Sequence, residues 1–217
     1  MKRFGVLSIV VSLVLALFSS SAAADHGTAF EGRKLFMTYC YLCHGTNGKG
    51  DGPLASKLKV TPANLTDSAR LEKRTDADLF GIIQGTNGHR LVATEMPKWG
   101  KLIPEPQIRS LVAYVRFLHR SKHPMIGDAE AGKRIYEAHC APCHGEKGKG
   151  DGVLVSIMSI KPADHSNAAK MDLLTNAQLI DIVTDGKGKD SYMPAWKGIL
   201  SQQEIEAAVS YIRFLSH

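Results

Sequence analysis

The sequence lacks the patterns that build β-sheets and nucleic-acid-binding surfaces. No segment convincingly alternates apolar and polar residues with the period of two that marks a half-buried strand. Beyond the amino-terminal segment, no apolar run approaches the roughly 20 residues that a bilayer span requires. Basic residues do not cluster with aromatic ones, which make up 7% of the chain, so nucleic acid is not an expected partner. We therefore predict an all-α fold.

The amino-terminal segment is predicted to be an export signal. A basic start precedes an apolar run from Phe4 to Phe18, and small residues ending at Ala24 follow. An uncleaved membrane anchor is the alternative, but an apolar run of about 15 residues is shorter than a bilayer span needs. We therefore expect residues 1–24 to be a signal peptide and the mature chain to be periplasmic, with no membrane span after cleavage.

Cysteine is scarce, and the four cysteines lie in two copies of one motif. Each copy has two cysteines separated by two residues and followed at once by a histidine: Cys40-Tyr41-Leu42-Cys43-His44 and Cys140-Ala141-Pro142-Cys143-His144. Cysteines three apart lie on one face of a helical turn, so both sulfurs can form thioethers with the vinyl groups of one porphyrin. The histidine imidazole then lies beneath the iron. The motifs predict two covalently bound haem c groups, with His44 and His144 as iron ligands.

Two other chemistries use closely spaced cysteines. A thioredoxin-like redox pair requires a strand before its helix, whereas residues 29–39 and 130–139 read as helix before the two motifs. A zinc site shared by four cysteines would leave both histidines without a role. Because haem attachment uses every cysteine, no disulfide is expected in this exported chain.

The second half of the chain repeats the first. At an offset of 100, Gly32, Phe36, Gly48 to Gly52 and Pro62-Ala63 recur as Gly132, Tyr136, Gly148 to Gly152 and Pro162-Ala163. From Met96-Pro97 against Met193-Pro194 onward the offset is 97, so the first copy has three extra residues in the loop around His89. We expect two small domains, residues 25–121 and 128–217, joined by a polar linker at 122–127.

Short motifs predict where several helices begin. A Ser or Thr followed three residues later by an acidic residue or a glutamine can form reciprocal caps at a helix start. Three pairs have this spacing: Thr75 with Asp78, Thr175 with Gln178, and Ser201 with Glu204.

The two halves differ in charge. Residues 25–121 hold 14 lysines and arginines against 9 aspartates and glutamates, whereas residues 122–217 hold 11 against 12. A basic half can steer the approach of an acidic redox partner. A mixed, solvated surface that only aids solubility is the alternative.

The duplicated motifs make the chain similar to the class I c-type cytochromes in their fused dihaem form. The similarity covers nearly the whole chain after the predicted signal peptide. In that family the helix that ends in the haem motif crosses the last helix of its domain, with a glycine and an aromatic residue meeting another aromatic residue. The resemblance implies these contacts: Gly32 and Phe36 with Tyr114 or Phe117, and Gly132 and Tyr136 with Tyr211 or Phe214.

The resemblance also implies the sixth iron ligand. In the family a methionine arrives from the loop before the last helix, and Met96 and Met193 stand there, each followed by a proline that keeps the loop extended. His89 and His165 are the alternative ligands, and either would make a bis-histidine haem.

A further implication concerns the carbonyl group that holds the other ring nitrogen of the axial histidine. In the family this carbonyl lies in the loop after the haem motif, often at a proline. That position maps to Pro53 in the first domain and to Val153 in the second.

The resemblance implies an electron carrier. With both axial positions filled by the protein, neither iron offers a site for substrate, so the chain is expected to transfer electrons between a respiratory donor and a terminal oxidase or reductase. An electron-accepting subunit of a dehydrogenase is one alternative, and a dihaem enzyme acting on thiosulfate or peroxide is another. The oligomeric state expected is a monomer.

Overall fold

The computed structural model describes residues 28–86, 96–189 and 191–217. Within these ranges every regular element is a helix, and the one β-type pairing is an isolated bridge between Lys197 and Leu200. The all-α prediction is confirmed. The predicted signal peptide and His89 lie outside the described residues.

The first module, by which we mean the described residues up to Ser121, has five α-helices. They are α1 (Ala29–Tyr39), α2 (Tyr41–His44), α3 (Ser68–Leu71), α4 (Asp76–Gln84) and α5 (Glu105–Arg120). Two short 3₁₀ turns, Ala55–Lys57 and Trp99–Lys101, lie in the connecting loops.

The second module, from Asp128 onward, repeats this order. Its helices are α6 (Ala129–Ile135), α7 (Ala141–His144), α8 (Leu154–Met158), α9 (Ala168–Met171), α10 (Asn176–Asp185) and α11 (Gln202–Leu215). A π-helical turn, Tyr136–Cys140, joins α6 to α7, whereas the equivalent residues of the first module end an ordinary α-helix.

In each module the first and last helices cross at a glycine. A Cβ atom at Gly32 would overlap the main-chain carbonyl of Ser110 on α5, and one at Gly132 would overlap that of Ala207 on α11. The missing side chain therefore lets the two backbones approach closely, and large side chains pack beside the crossing. The Phe36 ring lies 5.1 Å from that of Tyr114, and the Tyr136 ring lies 5.4 Å from that of Tyr211. The crossing expected from the resemblance is confirmed.

An arginine of the last helix holds the loop between the two short helices of each module. The Arg213 side chain is buried and donates to the carbonyls of Met171 (2.7 Å) and Leu174 (2.6 Å) and to Asn176 Oδ1 (3.0 Å). In the first module, Arg116 makes the equivalent bonds to the carbonyls of Leu71 and Arg74 and to the Asp76 carboxylate. The carbonyls of Leu71 and Met171, which end their short helices, also accept from the N–H groups of Arg74 and Leu174 at 3.2 Å, so each guanidinium adds to a tight turn and fixes it to the last helix.

The two modules pack directly on each other. Phe30 of α1 meets Tyr211 and Phe214 of α11 edge to face, with ring centroids 5.4 and 5.7 Å apart. Phe117 of α5 stacks on Phe214 at 4.4 Å. The linker is also fixed, because Asn176 Nδ2 donates to the Pro124 carbonyl at 2.8 Å.

None of the helices in the described ranges is long and apolar enough to cross a membrane.

Candidate haem sites

The first motif occupies a single helical turn. Cys40 N–H donates to the Phe36 carbonyl at 2.8 Å and His44 N–H donates to the Cys40 carbonyl at 2.9 Å, so helical bonding continues through the motif. Cys40 and Cys43 are therefore one turn apart on the same side of the helix. The glycine-containing loop that follows folds back on this turn, with Gly50 N–H donating to the His44 carbonyl at 2.8 Å.

The structure brings the predicted ligands of the first module to one cavity of about 310 Å³. Cys40, Cys43, His44 and Met96 all line it. Most of the remaining wall is aliphatic and aromatic, with contributions from both long helices and from the loops: Phe36, Leu54, Leu58, Leu65, Leu71, Leu79, Ile83, Trp99, Leu111 and Val115. Such a lining suits the flat apolar body of a porphyrin, and Arg70 and Arg74 also border it.

A backbone carbonyl holds the histidine of each motif. His44 Nδ1 lies 3.0 Å from the Ala63 carbonyl oxygen, and His144 Nδ1 lies 3.0 Å from that of Ala163. Since a carbonyl only accepts, Nδ1 carries the proton and Nε2 is left free to bind a metal. Burial lowers the pKa of both histidines, and the hydrogen bond to the carbonyl opposes this effect in part. The lowered pKa favours the neutral imidazole, which is the form that binds a metal.

The assignment of that carbonyl to Pro53 was wrong. The acceptor comes ten residues later, in the repeated Pro62-Ala63 and Pro162-Ala163 pairs. The repeat itself was the available signal, because a dipeptide kept in both loops at equal distance from the haem motif calls for an explanation.

The cysteines do not have the environment of a redox pair. Burial, and after it the neighbouring Cys43, raises the pKa of Cys40 to about 12, and burial with Cys143 raises the pKa of Cys140 to about 12. A thioredoxin-like pair needs a lowered pKa, since the thiolate is the reactive form. Cys40 packs against the core of the first module and Cys140 against that of the second, so the four sulfurs do not meet at one zinc site.

The second module holds Met193 in a defined loop before α11. Met193 N–H donates to Ser191 Oγ at 3.1 Å, and its carbonyl accepts from Lys187 N–H at 3.2 Å. Its side chain is partly buried and packs against the same cluster as Cys140 and Trp196.

An aromatic pair lies beside the first cysteine of each motif. Tyr39 meets Trp99 at 5.5 Å between ring centroids, and His139 meets Trp196 at 5.0 Å. The two tryptophans, placed by the repeat just after Met96 and Met193, therefore pack on the helix that carries the cysteines.

His165 lies beside His144, and this position excludes it as the ligand opposite His144. The two imidazoles stack almost in parallel, with centroids 4.1 Å apart and an interplanar angle of 14°. Ligands on opposite sides of an iron point their nitrogens at each other, whereas stacked rings point theirs side by side. Burial, and then His144, lowers the pKa of His165 to about 3, so this ring is uncharged.

Two helical modules, each with a haem motif on one turn and a carbonyl-held histidine, define a dihaem c-type cytochrome. The comparison with known proteins agrees with this class. The model of the family described as "Cytochrome C oxidase, cbb3-type, subunit III" matches residues 27–115 and 127–212, one match for each module. The chain belongs to this family, and it carries two haem c groups.

The relatives share the family at modest identity. The Cbb3-type cytochrome c oxidase subunit FixP of Azorhizobium caulinodans is 30% identical over 191 residues, which are 85% of this chain and 59% of that protein. The Cbb3-type cytochrome c oxidase subunit CcoP of Azospirillum sp. (strain B510) is 28% identical over 197 residues, which are 85% of this chain and 61% of that protein. The chain thus spans about three fifths of the length of these relatives.

One solved structure also matches. A chain of the Kuenenia stuttgartiensis reducing HAO-like protein complex is 25% identical, with 88% of this chain and 98% of that chain covered. The TM-score of 0.37 is too low for any argument from its structure.

Proposed function

We propose that this chain is a periplasmic electron carrier that takes electrons from a respiratory donor and passes them to a terminal oxidase or reductase. The proposal is carried by the meeting of Cys40, Cys43, His44 and Met96 at one apolar cavity. The same residue types recur in the second module. The relatives' names make them subunits of a terminal oxidase, which favours such an oxidase as the acceptor.

Each residue of the first site has one task. The thiols of Cys40 and Cys43 would form the thioether links, and one-electron uptake and release at iron is the chemistry that haem c supplies when bound. The Ala63 carbonyl fixes the tautomer and the orientation of His44, so that Nε2 is presented to the metal. Met96, on the loop before α5, would supply the thioether ligand.

The second site uses the equivalent residues. Cys140 and Cys143 would attach the haem, His144 is held through the Ala163 carbonyl, and Met193 would be the sixth ligand. With a histidine and a methionine as ligands, each iron would have no coordination position left for a substrate, and the chain itself would act as a carrier. The aliphatic walls exclude water, which raises the reduction potential.

Magnetic circular dichroism of the oxidised holoprotein tests the ligand assignment. The wild type should show a methionine-to-iron charge-transfer band, and Met96→His and Met193→His should each remove roughly half of it, because each haem contributes one methionine. Met125→His is the matched control, since Met125 lies in the linker at 122–127 and is not part of the wall of the first cavity. This variant should keep the whole band.

The same preparation tests the carrier role. Reduced wild-type protein should be reoxidised in air by membranes that contain a cbb3-type oxidase and not by membranes from a strain lacking it. A wild type without the charge-transfer band contradicts the methionine assignment. Carbon monoxide binding by the reduced wild type contradicts the carrier role and favours an enzyme with an open iron position.

A further inference from the structure

The two modules differ in the side chains behind the axial histidine. The first module has Phe36 and Leu65 there, and the repeat places Tyr136 and His165 at the same positions of the second. Tyr136 is fully buried and His165 is 9% exposed. A buried polar pair in place of an apolar one is costly unless its polar atoms are bonded.

The polar pair is bonded and reaches the axial ligand. Tyr136 Oη donates to the Gly145 carbonyl at 3.1 Å and lies 3.3 Å from His165 Nδ1. The His165 ring then lies flat against the His144 ring at 4.1 Å. Tyr136 and His165 thus place a hydrogen-bonded polar pair directly against the ring of His144.

The backbone at Leu65 and at His165 makes the same contacts in the two modules, whereas Phe36 lies in an α-helix and Tyr136 begins a π-helical turn. Leu65 N–H donates to the Gly48 carbonyl at 2.6 Å, and His165 N–H donates to the Gly148 carbonyl at 2.6 Å. Both axial histidines lie 3.0 Å from the alanine carbonyl. The loop backbone that positions the two histidines is therefore equivalent, and the side chains packed behind the histidines differ in polarity.

We propose that Tyr136 and His165 are positioning residues that act through His144 and hold the reduction potential of the second haem below that of the first. The proposal rests on the proposed function, in which His144 is the iron ligand. An oxidised haem carries one more positive charge than a reduced one, and part of that charge spreads onto the axial imidazole. Polar groups against this imidazole stabilise the charge, whereas Leu65 and Phe36 leave the equivalent imidazole in apolar surroundings.

The consequence is that electron transfer between the two haems has a preferred direction. An electron that enters the second module moves downhill to the first, where the reduced state is favoured. The net charge of the two halves acts in the same direction, because the basic first half also favours the reduced haem. A test must therefore exchange the pair without changing formal charge.

Two double variants make that exchange. A redox titration of each full-length holoprotein, followed by visible absorption, measures the midpoint potentials of its two haems. The double variant Tyr136→Phe with His165→Leu copies the first module, and Phe36→Tyr with Leu65→His copies the second. The first variant should raise the midpoint potential of the second haem and so narrow the difference between the two midpoint potentials. The shift expected in the one-electron equilibrium is about tenfold, which is about 59 mV for a one-electron couple. The variant Phe36→Tyr with Leu65→His should lower the midpoint potential of the first haem.

Each variant is checked for two haems by mass spectrometry and for an intact methionine charge-transfer band. These controls separate a tuned potential from a lost ligand or a misfolded module. If the first variant leaves both midpoints in place, lowers one, or moves both equally, the inference is wrong. Failure of the proposed function shows itself separately, as a wild type without two haems or without the methionine band.

Discussion

At the scale of single residues, Arg213 shows how a module keeps its cavity walls in place. The guanidinium lies inside the protein with 1% of the residue exposed, and it bonds three acceptors of the loop between α9 and α10. Its counterpart Arg116 bonds the same kind of loop, whose residues Leu71 and Arg74 line the first cavity. One long polar side chain from the last helix thus positions a wall of the site.

Replacing Arg213 with methionine should destabilise the protein markedly. The substitution keeps most of the apolar volume but removes three hydrogen bonds donated by a buried guanidinium, so we expect the free energy of unfolding to fall by roughly 2–4 kcal/mol. Denaturant unfolding of the holoprotein, followed by far-ultraviolet circular dichroism, measures this loss.

Arg116→Met is the matched control for this prediction. The Arg116 side chain is 12% exposed and its partner Asp76 is 74% exposed, so water can replace part of what is lost. The loss should be smaller than that for Arg213→Met. An equal or larger loss for Arg116→Met would show that burial does not determine how much this arginine contributes to the free energy of unfolding.

Single residues also mark the limit of what the sequence predicts about the sites. The motif cysteines and histidines were identified by spacing alone, because one helical turn carries all of them. The carbonyl at Ala63 was missed, since it depends on the path of an irregular loop that has no period to read. The stack of His165 on His144 was missed for the same reason, although the change from Leu65 to His165 in an otherwise repeated segment was visible.

At the scale of helices, the sequence predicted where helices begin better than it predicted irregular turns within them. The reciprocal caps expected at Thr75, Thr175 and Ser201 are all present. They could be predicted because a cap depends on neighbours three residues apart. The π-helical turn at Tyr136–Cys140 could not be predicted, because residues 36–39 of the first module end an ordinary α-helix with a similar pattern.

The crossing of α1 and α5 gives a prediction at this scale. In Gly32→Ala the new methyl group would overlap the Ser110 carbonyl, so the helices must separate, and we expect a loss of roughly 1–3 kcal/mol in the free energy of unfolding. Helix propensity alone predicts the opposite sign, a gain of about 1 kcal/mol, because alanine favours helix over glycine. Equilibrium unfolding therefore decides between packing and propensity.

Lys34→Ala is the control on the same helix. Lys34 is exposed, and its side chain has no part in the crossing, so its removal should change stability by less than about 0.5 kcal/mol. A stabilised Gly32→Ala protein would mean that the crossing has room for the methyl group, which contradicts the packing described above.

At the scale of the whole molecule, ring contacts run without a break between the histidines of the two motifs. The series is His44, Phe36, Tyr114, Phe214, Phe30, Tyr211, Tyr136, His165 and His144. It crosses between modules at Phe30 and Phe214. Since packed rings of this kind are held on several sides, the two haem sites are expected to keep one relative orientation.

Phe30 tests whether that packing makes the two modules unfold together. It lies on α1 but contacts α11 of the other module, whereas Phe80 packs within the first module beneath the Arg109 guanidinium at 4.9 Å. Phe30→Ala should lower the melting temperature and split one calorimetric transition into two, and protease should cut the linker at 122–127 more quickly. Phe80→Ala should lower the melting temperature and keep a single transition, because it removes packing inside one module only. If Phe30→Ala also keeps a single transition and an uncut linker, the aromatic contacts do not couple the modules, and the hydrogen bond from Asn176 to the linker carbonyl at Pro124 becomes the contact to remove next.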